Sequence, residues 1–164
     1  MKMTKHNPEE RELMYDNMVK RTTWCGPFAI ATVCGTKYET AYRTVRAIRG
    51  KRHAKGVTAT DIKKSCTKLG VKGKWTNLPK RKKLAKFLPT LEAGKVYIVE
   101  VTRHVIVVDT RDYTTIDNQN PNWTAVESTK HLRKLVHRVF EIENPKLSAP
   151  ADYWLFPLEM MMAA

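Results

Sequence analysis

The hydrophobic pattern of the chain changes at Gly94, and this change is the strongest constraint on its fold. After Gly94 come four segments rich in β-branched residues, each short enough for one strand: 96–101, 104–109, 113–117 and 135–142. Before Gly94 the apolar residues recur at helical spacing. Helical segments followed by sequential strands predict an α+β domain, with helices packed on an antiparallel sheet.

The helical half contains clear helix ends. Gly35 follows an apolar, helix-compatible segment and Gly50 follows a segment with apolar residues at helical spacing, and glycine in that position is typical of a helix C-terminus. Thr58-Ala59-Thr60-Asp61 resembles a capping box, which predicts that a helix begins there. The predicted helices are 9–20, 25–34, 37–49, a segment from Thr58 to Leu69 closed by Gly70, and 81–91.

Length and hydrophobicity predict one domain, residues 1–164. The chain has 164 residues, of which 42% are hydrophobic, and this is enough for one real core. We place that core at about 13–142, followed by an apolar C-terminal tail, 150–164. The tail either packs back on the domain or docks on a partner or a second copy. Apolar runs stay shorter than a membrane span, so no membrane association is expected.

The cysteine content indicates a reducing compartment. Cys25, Cys34 and Cys66 are an odd number without paired spacing, which argues against a disulfide framework. The N-terminal segment also lacks the apolar stretch of a secretory signal, so we expect a cytoplasmic protein. A zinc site from these cysteines and His53 would lack the usual CxxC spacing. We therefore expect neither a metal nor an organic cofactor, and we interpret Cys34 and Cys66 as core residues.

Cys25 is the candidate nucleophile. It stands where a polar stretch becomes the apolar run Gly26-Pro27-Phe28-Ala29-Ile30-Ala31-Thr32-Val33. Pro27 fits a first helical turn, because its missing N–H would have no partner there. Cys25 would then lie at a helix N-terminus, where unpaired N–H groups and the helix dipole lower the pKa of a thiol and favour a thiolate.

A histidine and a carboxylate follow in the order that a cysteine hydrolase uses. His104 begins a predicted strand, and a turn at 110–112 predicts a hairpin that brings residues near 118 opposite it. Asp117 and Asn118 are the candidate partners of the imidazole. We prefer Asp117, since a carboxylate stabilises an imidazolium better than an amide does. The other histidines lack a partnering pattern and are interpreted as surface residues: His6, His53, His131 and His137.

The motif Trp24-Cys25-Gly26-Pro27 and the sequence His104-Val-Ile-Val-Val resemble the papain-like cysteine peptidase superfamily. The similarity is closest to the small bacteriocin-leader-processing (C39-type) peptidase domains of bacteria and phages, and it runs from about Thr22 to Asn120. It implies a papain-like fold whose nucleophile helix packs on the sheet. It also implies cleavage of a peptide or isopeptide bond in a protein substrate, through an acyl-enzyme on Cys25, in a bacterial or phage-infected host cytoplasm. Amidase or acyl-transfer chemistry would use the same residues.

The second oxyanion donor is not fixed by the sequence. The superfamily usually carries a Gln six residues before the nucleophile, and here that position is Val19. Asn17 offers the right amide eight residues before Cys25. Arg21, Thr22 and Thr23 are alternatives.

Positive charge is concentrated between the candidate nucleophile and the candidate base. The net charge is +14, and residues 37–86 contain 17 Lys and Arg against two carboxylates. The densest patch is Arg81, Lys82, Lys83 and Lys86. This segment is either a solvated face or a surface for nucleic acid or an acidic host protein. If it is such a binding surface, the alternative function is that of an inactive papain-like scaffold that acts as a basic binding protein.

Overall fold

Helices and one antiparallel sheet make up residues 24–50 and 54–148, which the structure, a computed structural model, describes. The described helices are α1 (Cys25–Cys34), α2 (Tyr38–Arg49), α3 (Ala59–Lys68) and the one-turn α4 (Leu84–Phe87). The strands are β1 (Gly73–Lys83), β2 (Val96–Val101), β3 (His104–Asp109), β4 (Thr114–Ile116), β5 (Thr124–Ala125) and β6 (Leu135–Ile142). Short 3-10 helices span Leu88–Thr90 and Val126–Ser128. The described part of the chain is thus α+β, as the sequence predicts.

The sheet has six strands in the order β1-β6-β2-β3-β4-β5, and every neighbouring pair is antiparallel. Strands β2 and β3 form a tight hairpin in which Val101 pairs with His104. Strands β3 and β4 form the predicted second hairpin, with Val107 opposite Ile116. Because β1 and β5 are the two edges, β3 lies inside the sheet and all six of its residues are buried.

Helix α1 is the central helix of the larger core. Its sequence is apolar on every side, which is typical of a helix that is buried all round, and all of its residues after Cys25 are buried. It packs on β3 and on α2. This packing fixes the start of α1 against the start of β3, which is where Cys25 and His104 lie.

The opposite face of the sheet is covered by a smaller core. Leu84 and Phe87 from α4 pack there with Tyr97 and Val99 of β2 and with Val136 of β6. The sheet is therefore covered on both faces, which explains why β2 and β3 are almost continuously apolar.

The predicted helix ends are confirmed. Gly35 and Gly50 adopt left-handed φ angles of 63° and 61° and end α1 and α2. At the start of α3 the Asp61 N–H donates to Thr58 Oγ1 at 3.2 Å, and the Thr58 N–H donates to the Asp61 carboxylate at 3.1 Å. Both bonds of a capping box are present.

The predicted helix over 81–91 is wrong in its first three residues. Residues 81–83 end strand β1, where Lys82 pairs with Val136 and Lys83 with Leu135. Only Leu84–Phe87 and the following 3-10 turn are helical. Lys and Arg are good helix formers, but pairing with a strand some 50 residues away overrides that local preference. The sheet therefore contains a strand that precedes Gly94.

Two predictions lie outside the described residues: the helix over 9–20 and the apolar tail 150–164. Among the described residues, none of the helices has the length and hydrophobicity needed to cross a membrane.

Candidate active site

Cys25 is the first residue of α1 and is half-buried. Its neighbour Gly26 is needed for close packing, because a Cβ atom there would lie 2.8 Å from Val57 Cβ. The loop that carries Val57 can therefore pass directly over the helix N-terminus. Within the described residues the first turn of α1 has no acidic side chain, so no carboxylate there offsets the positive end of the helix dipole beside the sulfur.

Cys25 and His104 line the same cavity, close enough that each side chain shifts the pKa of the other. His104 is the first residue of β3, and its Nε2 atom lies 3.1 Å from Asp117 Oδ2. Since Nε2 is engaged with the carboxylate, Nδ1 is left for the thiol. The imidazole thus bridges a thiol and a carboxylate, which is the connectivity of a cysteine–histidine–acid triad.

The electrostatics of the site favour a thiolate–imidazolium pair. Burial by itself would raise the pKa of Cys25, but the His104 hydrogen bond and charge, with the N–H groups of Val105 and Gly26, bring that pKa below its ordinary value. Burial would lower the pKa of His104, but bonds to Asp117 and Cys25 raise it overall. Each group therefore stabilises the charged form of the other.

Asp117 is held as a carboxylate by four hydrogen bonds. Its Oδ1 atom accepts the backbone N–H groups of Gln119 at 2.8 Å and Asn120 at 2.7 Å, in a turn that follows β4. Its Oδ2 atom accepts from His104 and from a second imidazole, that of His131. Burial would raise the pKa of Asp117, but His104 and the Asn120 N–H lower it to about 2.

Of the two candidate partners of His104, Asp117 rather than Asn118 makes the bond. The β3–β4 register, extended from the pair of Val107 and Ile116, places residue 119 opposite His104. The strand ends before that point, and the turn at Asp117 directs its carboxylate back to the ring.

His131 belongs to the site, and its interpretation as a surface residue is wrong. It is 2% exposed, its Nε2 atom lies 2.9 Å from Asp117 Oδ2, and its ring centroid lies 4.5 Å from that of His104. Its Nδ1 atom is buried and has no hydrogen-bond partner within the described residues. Burial and the nearby His104 charge lower the pKa of His131, which favours the neutral ring, and a neutral ring that bonds the Asp117 carboxylate donates from Nε2. The sequence around it, Thr129-Lys130-His131-Leu132-Arg133, carries no signal that would have found it.

These three side chains also offer metal-ligating atoms. One atom each of His104, Asp117 and His131 lies within 4.8 Å of the others. Both imidazole Nε2 atoms, however, approach a single carboxylate oxygen at hydrogen-bond distance, whereas zinc ligands surround an ion at about 2.0–2.2 Å. The donor geometry therefore fits two N–H donors on one carboxylate better than three ligands around an ion.

A cavity of about 420 Å³ opens above Cys25 and His104. Exposed cations, Lys55 and Arg103, lie among its lining residues, and Lys55 also lies 5.7 Å from the centre of the Trp24 ring. Glu100 lines the cavity too and pairs with Arg138 at 3.0 Å. Apart from Cys25 and His104, the remaining lining residues are small or apolar: Gly26, Ala54, Gly56, Val57, Val101 and Val105.

The other candidate residues do not join this site. Asn17 and Val19 lie outside the described residues. Arg81, Lys82 and Lys83 are exposed on the edge strand β1, and Lys86 is exposed on α4. Two strands, β6 and β2, separate β1 from His104 on β3.

Comparison of the chain with family models, with curated proteins and with solved structures found no match. The similarity to papain-like peptidases therefore stays a prediction.

Proposed function

We propose that the protein is a papain-like cysteine hydrolase that cleaves a peptide or isopeptide bond. One observation carries this proposal: a half-buried thiol at a helix N-terminus shares one imidazole with a buried carboxylate. Nucleophile, base and orienting group are then in contact in the order that acyl transfer requires. The cavity above Cys25 gives a substrate carbonyl access to the sulfur.

The proposed reaction begins with attack of the Cys25 thiolate on the carbonyl carbon. The His104 imidazolium donates its proton to the departing amine, and the acyl group remains on Cys25 as a thioester. Neutral His104 then removes a proton from water, which attacks the thioester and releases the acid. The Cys25 backbone N–H at the helix N-terminus is a donor suited to the tetrahedral oxyanion.

Asp117 and His131 are positioning residues in this mechanism. Asp117 holds the His104 ring and stabilises its cation through the 3.1 Å bond. His131 in turn donates to Asp117 Oδ2, and its lowered pKa favours the neutral ring over a second imidazolium. The Asp117 carboxylate therefore cannot rotate away from His104 without losing one of its hydrogen bonds.

Acylation by an activated ester tests this proposal without knowledge of the substrate. With p-nitrophenyl acetate we expect a burst of one equivalent of nitrophenol and an acetyl group on Cys25, located by peptide mass spectrometry. Cys25→Ser should lose the burst, and Cys66→Ala, which alters a buried thiol elsewhere, should keep it. Absence of a burst, or acetyl groups spread over surface lysines, would refute a cysteine hydrolase.

A further inference from the structure

A second cavity, of about 790 Å³, lies between helix α3 and the sheet. We call it the α3 groove and define it by Lys63, Lys64, Lys68, Trp75, Asn77 and Arg138. The groove and the cavity above Cys25 have no lining residue in common. A ligand in the α3 groove would therefore bind outside the proposed hydrolase site.

The groove is lined by cations without carboxylates. Four of its described lining residues are Lys or Arg, and none is Asp or Glu. Lys63, Lys64 and Lys68 are exposed, and within the described residues none of them has a carboxylate at ion-pair distance. Arg138 is the exception, since it pairs with Glu100.

Helix α2 shows how the same chain balances charge elsewhere. There Arg43 pairs with Glu39 one turn away, a spacing that stabilises helices. On α3, Lys64 and Lys68 have the same spacing but like charge, which destabilises a helix. The lysines of α3 therefore repel one another without a neighbouring carboxylate to offset them. An anion bound in the groove would reduce this repulsion.

One side of the groove is formed by a fixed indole ring. Trp75 Nε1 donates to the Ala59 carbonyl at 2.8 Å, and the ring stacks on Phe140 with centroids 5.0 Å apart. Thr60, Thr67 and Asn77 add hydroxyl and amide groups to the lining. The groove therefore combines ammonium groups, small hydrogen-bonding groups and one rigid aromatic surface.

We propose that the α3 groove binds the phosphodiester backbone of a nucleic acid, independently of sequence. Lys, Thr and Asn side chains are common phosphate contacts, whereas lysine is depleted from protein–protein interfaces and arginine is enriched there. Three lysines and one arginine therefore favour phosphate over an acidic protein. Residues 80–83, further along β1, are four more exposed cations, and the chain has no motif for reading base edges.

Salt-dependent binding of a labelled oligonucleotide tests the proposal. Fluorescence anisotropy of the full chain with a 20-nucleotide single strand and with the matching duplex should give affinities that fall steeply with salt. The triple variant Lys63→Gln, Lys64→Gln, Lys68→Gln should bind at least about tenfold more weakly at 0.1 M salt. Its log–log salt slope should be smaller by about two to three, close to one for each phosphate that the variant no longer neutralises.

A matched variant separates the groove from overall charge. Arg111→Gln, Lys130→Gln, Arg133→Gln removes three exposed cations that lie outside residues 37–86 and do not line the groove, and it should change affinity less than about threefold. Binding should also quench tryptophan fluorescence in the wild type, with most of the quench lost in Trp75→Phe. Cys25→Ser should bind as the wild type does.

Three results would overturn the proposal. Equal losses in the two triple variants would mean that only net charge matters. Equally tight binding of polyglutamate would assign the groove to an acidic protein. Affinity below that of a simple polylysine of the same charge would leave α3 as a solvated face.

Discussion

Cys25 and Cys34 lie at the two ends of helix α1, and their surroundings differ in every respect that governs thiol chemistry. Cys25 is half-buried beneath a cavity and contacts His104. Cys34 is 3% exposed in the core and lies beside Cys66, and this neighbour together with burial raises the pKa of Cys66. One helix thus carries a thiol suited to ionisation and another that packs as a small hydrophobic residue.

Helix α1 alone does not make Cys25 a nucleophile. The dipole of α1 acts on Cys25, but burial opposes it, and the net lowering of the pKa depends on His104 and on the N–H groups of Val105 and Gly26. The high reactivity of Cys25 should therefore be lost when the imidazole is removed.

The largest effect is expected for His104→Ala. Without the imidazole the pKa of Cys25 should return to the ordinary thiol range, near 8.5, where only about 0.3% is thiolate at pH 6. Iodoacetamide labelling of Cys25 at pH 6, followed by mass spectrometry, should slow by about a hundredfold. Cys34 and Cys66 should stay unlabelled in both proteins, and unchanged labelling of Cys25 would show that the helix dipole suffices.

Acid should destabilise the Cys25 end of the molecule through Asp117. The pKa of this carboxyl is about 2 in the fold against an ordinary value of 3.8, so the fold favours the ionised form by on the order of 2 kcal/mol. That stabilisation is complete above about pH 4 and is lost as the pH falls towards 2. Urea unfolding from pH 6 to pH 2 should show this loss, and Asp117→Asn should show a smaller one.

Asp117→Asn should also reduce reactivity at neutral pH. The amide fills the same space but lacks the charge that raises the pKa of His104. The imidazolium and, with it, the Cys25 thiolate should become less stable, and alkylation at pH 6 should slow by about tenfold, for a loss of about 1.4 kcal/mol. Reactivity equal to the wild type would remove Asp117 from the site.

A smaller effect is expected at His131. His131→Leu removes one N–H donor from Asp117 Oδ2 and should slow alkylation of Cys25 about threefold, with a stability loss of about 1–2 kcal/mol. His131→Gln can present an amide N–H in the same place and should recover most of the rate. Equal rates for the Leu and Gln variants would mean that His131 contributes packing and no hydrogen bond that matters for Cys25.

Local signals made part of this site predictable. Pro27 and the apolar run after it indicated the start of α1, and the β-branched residues after His104 indicated β3. The turn at 110–112 then brought Asp117 within reach, because hairpin register follows from loop length. Each of these features depends on residues that are close in sequence, so the local sequence pattern predicts it.

Features that depend on distant pairing were missed. Strand β1 exists because it pairs with β6, and its lysines gave a helical pattern when read alone. His131 is buried because the turn before β6 places its ring against Asp117. The α3 groove joins Lys63, Trp75 and Arg138 from three elements, a juxtaposition that no sequence window contains.

The pH dependence of alkylation of the three cysteines, measured in one sample, is the decisive test of the thiolate at Cys25. Native protein is treated with iodoacetamide from pH 4 to pH 9, and each cysteine is quantified by mass spectrometry. We expect Cys25 to react at pH 6 with an apparent pKa well below 8.5, and Cys34 and Cys66 to react only after unfolding. A Cys25 profile that rises only above pH 8, as for an ordinary thiol, would contradict the thiolate–imidazolium pair and the hydrolase built on it.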